Sequence, residues 1–266
     1  MKLTPSVLNL DFPKIETRII RFIKEYVTNS QAKGVVLGLS GGVDSATIAA
    51  LCSKALGSKN VLALVLPEEE TKTQKDIDDA ETITKQFNIE TQTVDMTHAL
   101  KELYNTIPIY DQKNQICKGN IKARTRMIVL YYYANKLNKI VCGSSNKSET
   151  LMGYFTKWGD GAADMSPIKD LYKTQVRKLA ITLGITETIA LKPATPALWP
   201  NQSAEGELGI KYETLDLILY GLEKFMPTDE IASQLNVEHR TIEAVKNRLL
   251  YNEHKRQLPI TVKLGV

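Results

Sequence analysis

The chain has 266 residues, 43% of them hydrophobic, which is enough to bury one large core with a small helical appendage. Its net charge of +4 suits an anionic small molecule but falls well short of a dedicated nucleic-acid-binding domain. The three cysteines are too scattered for a disulfide framework or a zinc site, and the apolar runs are too short to cross a bilayer. With no signal-peptide pattern at its start, the chain is expected in the cytoplasm, without a nucleic-acid or membrane partner.

Strand and helix patterns alternate along the first two thirds of the chain. Apolar runs predict buried strands at 35–40, 61–67, 89–96 and 139–145. Helical spacing predicts helices at 14–29, 44–57, 72–87, 119–138 and 173–183. This order predicts an α/β fold, a doubly wound parallel sheet flanked by helices, with ligands at the carboxyl ends of its strands.

The strand signal stops after Leu183. Residues 193–209 are rich in Pro, Gly, Ser and Asn, which predicts a long loop of the kind that often closes over an active site. Helices are predicted at 211–225, 228–235 and 239–251. We therefore expect a single domain over 1–266, with an α/β core at 30–192 and a lid loop and C-terminal helices at 193–266.

The C-terminal helices allow another interpretation. Residues 227–256 have the apolar spacing of a helix-turn-helix, carried by Ile231, Leu235, Ile242 and Val245, and the second helix is basic. Two helices packed at a turn also form ordinary core at this spacing. The weak overall basicity favours that second interpretation over DNA binding.

The segment GVVLGLSGGVDS, residues 34–45, places two glycines between a strand and a helix. Gly41 and Gly42 let the backbone approach an anion closely, and Ser40 and Ser45 add hydroxyl donors. Asp44 beside a polyphosphate would be repulsive without a cation, so the loop indicates Mg²⁺. The simpler alternative is a Gly-Gly turn with an aspartate at the helix N-cap.

The SGGVDS loop is similar to the pyrophosphate loop of the N-type ATP pyrophosphatases, whose fold is of the adenine nucleotide alpha hydrolase type. That likeness explains why the lysine of the common phosphate loop is missing, since these enzymes release pyrophosphate and transfer AMP to an oxygen of a second substrate. The resemblance implies ATP contacts from Gly38, Leu39, Ser40, Gly41, Gly42, Val43, Asp44 and Ser45. The loop does not choose the second substrate.

Four further segments together resemble the NAD⁺ synthetase family, in a consistent order from about Gly34 to Pro259. They are GNIKARTRM (119–127), residues 143–176, QSAEGELGIKY (202–212) and NEHKRQLP (252–259). Several motifs at compatible separations are far more specific than one loop. The resemblance implies an acid–ammonia ligase that uses ATP to amidate deamido-NAD⁺, the last step of NAD⁺ biosynthesis.

The segment GSSNKSE carries a second candidate metal ligand. Ser144 lies where a strand ends, so its hydroxyl could reach ATP, although threonine is common there in the family. Glu149 lies one turn into the next helix and could converge with Asp44 on one Mg²⁺. The alternative is a solvent-facing glutamate at a helix N-terminus.

The Gly-rich loop YFTKWGDGAAD combines aromatic and charged residues suited to a nicotinate ring with its ribose and phosphate. The resemblance implies that Lys157 and Asp164 contact deamido-NAD⁺. Asp160 is a weaker candidate for binding or deprotonating the ammonium ion. A surface loop with an ion pair is the alternative.

Lys173 stands at a predicted helix start, where a cation opposes the helix dipole, which argues against a purely structural role. By resemblance it contacts ATP and could stabilise charge at the pentavalent phosphorus. Thr195 matches a family threonine that binds ATP.

Basic residues supply the remaining dinucleotide contacts implied by the resemblance. Arg124 offers a guanidinium fork to a phosphate or carboxylate, whereas Arg126 and Lys122 are expected to be solvent or interface charges. His254 and Lys255 match the family's C-terminal pair, with a basic surface tail as the alternative.

Two segments depart from the family pattern. Residues 67–80 are unusually acidic, which puts adenosine contacts from that segment in doubt. Ala204 occupies a lid position where the family often has aspartate, so no catalytic acid is assigned there.

The resemblance also implies the nitrogen source and the assembly. Without room for an amidotransferase domain, the chain is expected to use free ammonia or ammonia from a partner. A homodimer is expected, with the helices at 14–29 and 119–138 as candidate surfaces. The alternatives are another adenylating ligase and a non-catalytic adenine-nucleotide-binding module.

Overall fold

The computed structural model describes residues 2–265, and its four strands form one parallel sheet in the order β3-β2-β1-β4. The strands are β1 (Val35–Gly38), β2 (Val61–Val65), β3 (Glu90–Thr93) and β4 (Ile140–Val141). Val35 at the start of the central strand pairs with Val61 on one side and Ile140 on the other. All four predicted strands are present, although β4 has only two residues.

The α-helices of the described residues lie where the sequence pattern predicts the longer ones. In chain order they are α1 (Phe12–Asn29), α2 (Val43–Leu56), α3 (Gln74–Gln86), α4 (Thr97–Thr106), α5 (Gln115–Leu137), α6 (Lys147–Met152), α7 (Lys173–Thr182), α8 (Glu187–Ala190), α9 (Ala204–Leu208), α10 (Tyr212–Glu223), α11 (Thr228–Leu235), α12 (His239–Tyr251) and α13 (Glu253–Arg256). Short 3-10 turns cover Pro5–Leu8, Ser58–Asn60 and Asp160–Ala162. None of the helices within residues 2–265 has the length and apolarity needed to cross a membrane.

Both faces of the sheet are covered, because successive strand residues point to opposite sides. Val35 and Leu37 pack with residues of α1, α2 and α7, whereas Val36 packs with residues of α4 and α5. Cys52 and Cys142 are buried in the first of these cores as free thiols. The predicted doubly wound parallel sheet flanked by helices is therefore confirmed.

The C-terminal helices form a third core. Tyr212 and Ile218 of α10, Ile231 of α11, and Ile242 and Val245 of α12 are all buried together. The two helices with helix-turn-helix spacing thus use their apolar faces to pack onto α10. Their arrangement matches the ordinary-core interpretation of the sequence pattern.

Helix α1, one of the two candidate dimer surfaces, divides its apolar side chains between the core and the surface. Ile19 and Ile23 are buried in the first core, and Phe22 and Tyr26 remain 43% and 36% exposed. On α5, Ile128 is likewise exposed. The apolar stripe of α1 is therefore mainly core.

Candidate active site at the carboxyl edge of the sheet

A cavity of about 520 Å³ opens at the carboxyl ends of β1, β2 and β4, the edge at which a doubly wound sheet binds its ligands. Loop residues from several distant parts of the chain meet there. The predicted site residues that line it are Gly38, Leu39, Ser40, Gly42, Asp44, Ser144, Glu149, Asp160, Lys173, Thr195 and Lys255.

The glycine loop runs from the end of β1 into α2. Gly41 has φ +74°, and a Cβ added there would lie 2.4 Å from the carbonyl oxygen of Asp76, so only glycine fits this close approach. Gly42 is the N-cap of α2 and its φ of −94° is ordinary extended backbone. The backbone conformation and the close contact therefore require glycine at Gly41, whereas the backbone conformation of Gly42 does not.

Two serines hold the shape of the loop. The Ser45 hydroxyl donates to the Gly42 carbonyl at 3.0 Å and lies 3.1 Å from the Ser40 hydroxyl. Ser45 is buried, and the side chain of Val43 packs into the core beneath the loop. Gly41, Val43 and Ser45 therefore support the loop from behind the cavity wall, while Ser40 and Gly42 face the cavity.

Asp44, Lys173 and Glu149 form a charged triad that lines the cavity. The Lys173 ammonium donates to Asp44 Oδ2 and lies 3.2 Å from Glu149 Oε1. Lys173 is only 2% exposed. The Asn146 side chain donates to the other Asp44 oxygen at 3.0 Å and also caps α6. Two carboxylates thus compensate a cation that the start of α7 would otherwise disfavour.

The triad shifts the proton affinities of its members. Burial alone would lower the pKa of Lys173, but the charges of Asp44 and Glu149 hold that pKa above its ordinary value. Burial raises the pKa of Glu149, with the Lys173 ammonium acting in the opposite direction and Asp44 adding to the rise. Lys173 therefore remains charged in this site.

The donor set of the triad fits Mg²⁺ bound together with phosphates. Asp44 and Glu149 already converge on one positive charge, the Lys173 ammonium. No group of three or more His, Cys, Asp or Glu side chains able to hold a metal occurs within residues 2–265. Mg²⁺ usually takes one or two carboxylates and completes its shell with phosphate oxygens and water, so two carboxylates are sufficient.

Asp160 and Lys255 also line the cavity. Asp160 Oδ1 accepts the Thr156 N–H at 2.8 Å, and desolvation by the surrounding protein raises the pKa of this carboxyl, although the residue as a whole stays exposed. The Lys255 ammonium donates to the carbonyls of Gly153 and Phe155, at 2.7 and 2.9 Å. The carboxylate of Asp160 and the ammonium of Lys255 are close enough for their charges to interact.

The remaining predicted substrate contacts lie outside the cavity lining. Arg124 donates to the Lys157 carbonyl at 3.2 Å, and the Lys157 ammonium donates to the His254 carbonyl. These three residues form a connected group, here called the rim cluster, between α5 and α13. Asp164 accepts the Val141 N–H at 2.7 Å and the Tyr131 hydroxyl at 3.0 Å. Their roles toward the substrate stay predictions.

Two expectations about α5 are wrong. Lys122, expected to be a solvent or interface charge, is 1% exposed and pairs with Glu68 at 2.9 Å and Glu70 at 2.6 Å. Arg126, placed in the same class, donates from Nε to the Leu66 carbonyl at 3.2 Å and lines the cavity. The acidic residues after β2 were the feature of the sequence that could have indicated a buried lysine partner on α5.

Part of the acidic segment 67–80 belongs to the cavity wall. Pro67, Glu68, Thr71 and Asp76 line the cavity beside the glycine loop. The charges of Glu68 and Glu70 are balanced by Lys122, and the carboxylate of Asp76 by Lys192. The segment therefore forms the part of the cavity wall next to the glycine loop, with its carboxylates paired to lysines.

Lys192 is a site residue that sequence reasoning missed. Its ammonium lies 2.6 Å from Asp76, 2.5 Å from Asp79 and 3.3 Å from the Gly41 carbonyl oxygen. A lysine directly before the Pro-rich loop at 193–203 was the available signal, but nothing in the sequence shows that it turns back to the glycine loop.

The predicted lid loop covers one side of the cavity. Residues 193–199 line it, and Thr195 accepts the Ala197 N–H at 3.1 Å within the loop. Ala204, where a family aspartate was expected, is buried at the start of α9, and Glu207 of the same helix lines the cavity. The lid therefore still carries a carboxylate, one turn later than the expected position.

Comparisons with known proteins agree with this geometry. The family model described as NAD synthase matches residues 15–259. A curated NH(3)-dependent NAD(+) synthetase from Hyperthermus butylicus is 44% identical over 255 residues, covering 96% of this chain and 92% of that protein.

Two solved structures have the same fold over nearly the whole chain. An NMN synthetase from Francisella tularensis superposes with a TM-score of 0.84 at 32% identity, covering 96% of this chain and 100% of that one. An NH3-dependent NAD synthetase from Campylobacter jejuni, in complex with nitrate, gives a TM-score of 0.80 at 34% identity, with coverage of 96% and 100%. The match of the family model over most of the sequence, the curated relative and these structures together show that the chain belongs to the NAD synthase family.

Proposed function

We propose that the chain is an acid–ammonia ligase that converts deamido-NAD⁺ to NAD⁺ with ATP and ammonia, the final step of NAD⁺ biosynthesis. The observation that carries this proposal is the meeting of the glycine loop with the Asp44–Lys173–Glu149 triad in one cavity of an NAD synthase family member. The proposal agrees with the activity named for the curated relatives.

The chemistry proceeds in two substitutions. A nicotinate carboxylate oxygen of deamido-NAD⁺ attacks the α-phosphorus of ATP, and the bond between that phosphorus and the bridging oxygen breaks to release pyrophosphate. Ammonia then attacks the acyl carbon of the NAD-adenylate, AMP leaves with the oxygen, and the nitrogen loses a proton. Adenylation is needed because a free carboxylate would have to expel oxide.

The glycine loop suits the departing pyrophosphate. Backbone N–H groups at the start of α2 provide donors without a charged side chain, and the helix dipole favours an anion there. Ser40 and Gly42 face the cavity at this point. Lys173, held by two carboxylates, would supply a positive charge to stabilise the negative charge that develops at the reacting phosphorus.

We further propose that Asp44 and Glu149 hold Mg²⁺ on the triphosphate. When bound, the ion neutralises phosphate charge and helps pyrophosphate to leave. In the same proposal Thr195 and Ser144, which both line the cavity, supply hydroxyls to ATP.

The proposed deamido-NAD⁺ contacts are Arg124, Lys157, Asp164, His254 and Lys255. Support comes from Lys255 in the cavity wall and from the rim cluster next to it. We assign to Asp160, which interacts electrostatically with Lys255, the acceptance of a proton from ammonium, and its raised pKa would make it a stronger base than an ordinary aspartate.

A homodimer is also proposed, as is a single functional domain made of the core at 30–192 with the lid loop and C-terminal helices. Ile128 and Tyr132 of α5 are 66% and 68% exposed, and Phe22 and Tyr26 of α1 are partly exposed. Exposed apolar side chains on two helices of this length suit a subunit interface. Sedimentation velocity of the wild type and of the I128E/Y132E variant tests this proposal.

A second candidate substrate is nicotinate mononucleotide, because the solved structures with this fold include an NMN synthetase. The adenylation and ammonia steps would be the same, with only the AMP half of the dinucleotide missing. The rim cluster distinguishes the two, since we assign it to the dinucleotide.

One assay tests both candidates. The purified chain is incubated with ATP, Mg²⁺ and ammonium and with either deamido-NAD⁺ or nicotinate mononucleotide, and AMP, pyrophosphate and the amide product are measured. Equal amounts of AMP, pyrophosphate and NAD⁺ are expected with deamido-NAD⁺. Formation of ADP, or turnover with the mononucleotide alone, contradicts the proposal, and omission of ammonium is the control.

A further inference from the structure

Lys192 connects three parts of the cavity wall. It stands just before the lid loop, and its ammonium meets Asp76 and Asp79 of α3 and the carbonyl oxygen of Gly41 in the glycine loop. Its side chain is 13% exposed, and the same value holds for Asp79. These contacts link segments that are more than 100 residues apart in the chain.

The ammonium has no donor left for a ligand. A lysine ammonium carries three N–H groups, and here three acceptors surround it at 2.5, 2.6 and 3.3 Å. Lys192 therefore differs from a lysine that contacts phosphate directly, although it lines the same cavity.

The contact with Gly41 sets the orientation of one peptide group. A trans peptide points its C=O and the following N–H in opposite directions. With the Gly41 carbonyl held toward Lys192, the Gly42 N–H points away from it, toward Ser40 Oγ at 3.4 Å on the cavity side. A hydrogen bond of this length is weak, so the Gly42 N–H can donate to a bound anion instead.

The packing of the loop against α3 makes this orientation depend on Lys192. Gly41 lies directly against the Asp76 backbone, where no side chain fits. Without Lys192, the carboxylates of Asp76 and Asp79 would face each other and the Gly41 carbonyl with no compensating charge on this side. Lys75 reaches Asp79 at 3.4 Å from the solvent side, but it does not touch the glycine loop.

We infer that Lys192 is a positioning residue for pyrophosphate binding, which fixes the Gly41–Gly42 peptide and ties the lid loop to it. The inference rests on the proposed use of ATP at the glycine loop and adds a residue that acts on that loop without touching the nucleotide. Because Thr195 lies three residues further along the same loop, the anchor also sets where the lid begins.

The test is direct binding of Mg²⁺–ATP and of pyrophosphate, measured by titration calorimetry on the wild type and on Lys192→Met. We expect K192M to weaken both by about 10- to 100-fold, the effect of misdirecting a hydrogen bond to a charged group. In steady-state assays KM for ATP should rise while KM for deamido-NAD⁺ stays within about twofold. Lys75→Met is the matched control, because it removes the other cation beside Asp79 and should leave ATP binding unchanged.

Two further variants separate positioning from charge compensation. Lys192→Arg keeps the charge and should restore part of the ATP affinity, and thermal unfolding of each variant shows whether it is folded. In D76N/D79N/K192M the uncompensated carboxylates are gone, and we expect ATP binding to remain weak because the Gly41 carbonyl is still free. Full recovery in this triple variant, or unchanged ATP affinity in K192M, would overturn the inference.

Failure of the proposed function gives a different result. If the wild type binds ATP but forms no NAD⁺, the ligase assignment is wrong, and the calorimetric comparison of K192M with K75M still tests the role of Lys192.

Discussion

Replacing Lys173 by methionine perturbs the charged triad at its centre. The ammonium lies 3.2 Å from Glu149 Oε1 and donates to Asp44 Oδ2, and the three side chains are 3%, 19% and 16% exposed. At an effective dielectric constant near 20, one pair at this distance contributes about 5 kcal/mol of Coulomb attraction, before the cost of desolvation. Methionine would leave two adjacent carboxylates without a cation.

The stability of the free protein should fall accordingly. Removing one partner of a buried ion pair typically costs about 3–5 kcal/mol, which corresponds to a drop in Tm of roughly 6–20 °C for a chain of this size. Urea unfolding followed by circular dichroism measures the loss. Added Mg²⁺ should stabilise K173M more than the wild type, because in K173M no lysine ammonium competes with Mg²⁺ for the two carboxylates.

The activity of K173M should also fall, by about 10²- to 10³-fold in kcat, since the positive charge next to the phosphorus is lost. Lys147→Met is the matched control. Lys147 also pairs with two carboxylates, Asp170 at 3.1 Å and Glu223 at 2.9 Å, but Asp170 is 96% exposed and the pair lies outside the cavity. K147M should lose at most about 1 kcal/mol of stability and keep its kcat. Equal losses in the two variants would refute the reasoning about the triad.

Three more perturbations follow from the described contacts. G41A should lose ATP binding. G57A is the control, because Gly57 has nearly the same positive φ but no atom within 4 Å of the added Cβ, and it should show only a modest drop in Tm. Equal ATP affinities of the two variants would contradict the close approach at Gly41. Burial raises the pKa of Asp216 to about 6, so its contribution to folding is present below about pH 4 and is lost as pH rises through 6. The unfolding free energy of the wild type relative to D216N should therefore fall by about 2 kcal/mol between pH 4 and 7, and a flat difference would exclude a raised pKa. R126M should raise KM for a nucleotide substrate by about tenfold, because the Arg126 guanidinium lines the cavity. K118M is the control: it loses an ion pair with Glu70 outside the cavity lining and should leave this KM unchanged.

The sequence predicted the parts of the fold that depend on local patterns. Continuous apolar runs identified the central strands, because strands covered on both faces need apolar residues at successive positions. Helix α4 (Thr97–Thr106) was not predicted; it is short, and Leu100 is its buried residue. Strand β4 was predicted too long, because its edge continues only as a single bridge from Cys142 to Met165.

Candidate site residues were predictable where one motif carried the chemistry. Asp44, Glu149 and Lys173 were each singled out from a local feature, and the structure brings all three together. Arg126 and Lys122 were misjudged, because a basic residue on a helix looks the same in sequence whether it faces water or a buried carboxylate. Their partners come from the segment after β2, more than 50 residues earlier.

The sequence by itself determined the fold class, the anion-binding loop and, through several motifs in order, the family. Those features depend on residue type and spacing within one segment, which the chain displays directly. Only the tertiary structure decided that Lys192 anchors the glycine loop, that Lys122 neutralises the acidic wall, and that Asp164 serves the backbone of β4. Each of these depends on a charge meeting a partner from a distant segment, and that pairing exists only once the sheet edges and loops have been brought together.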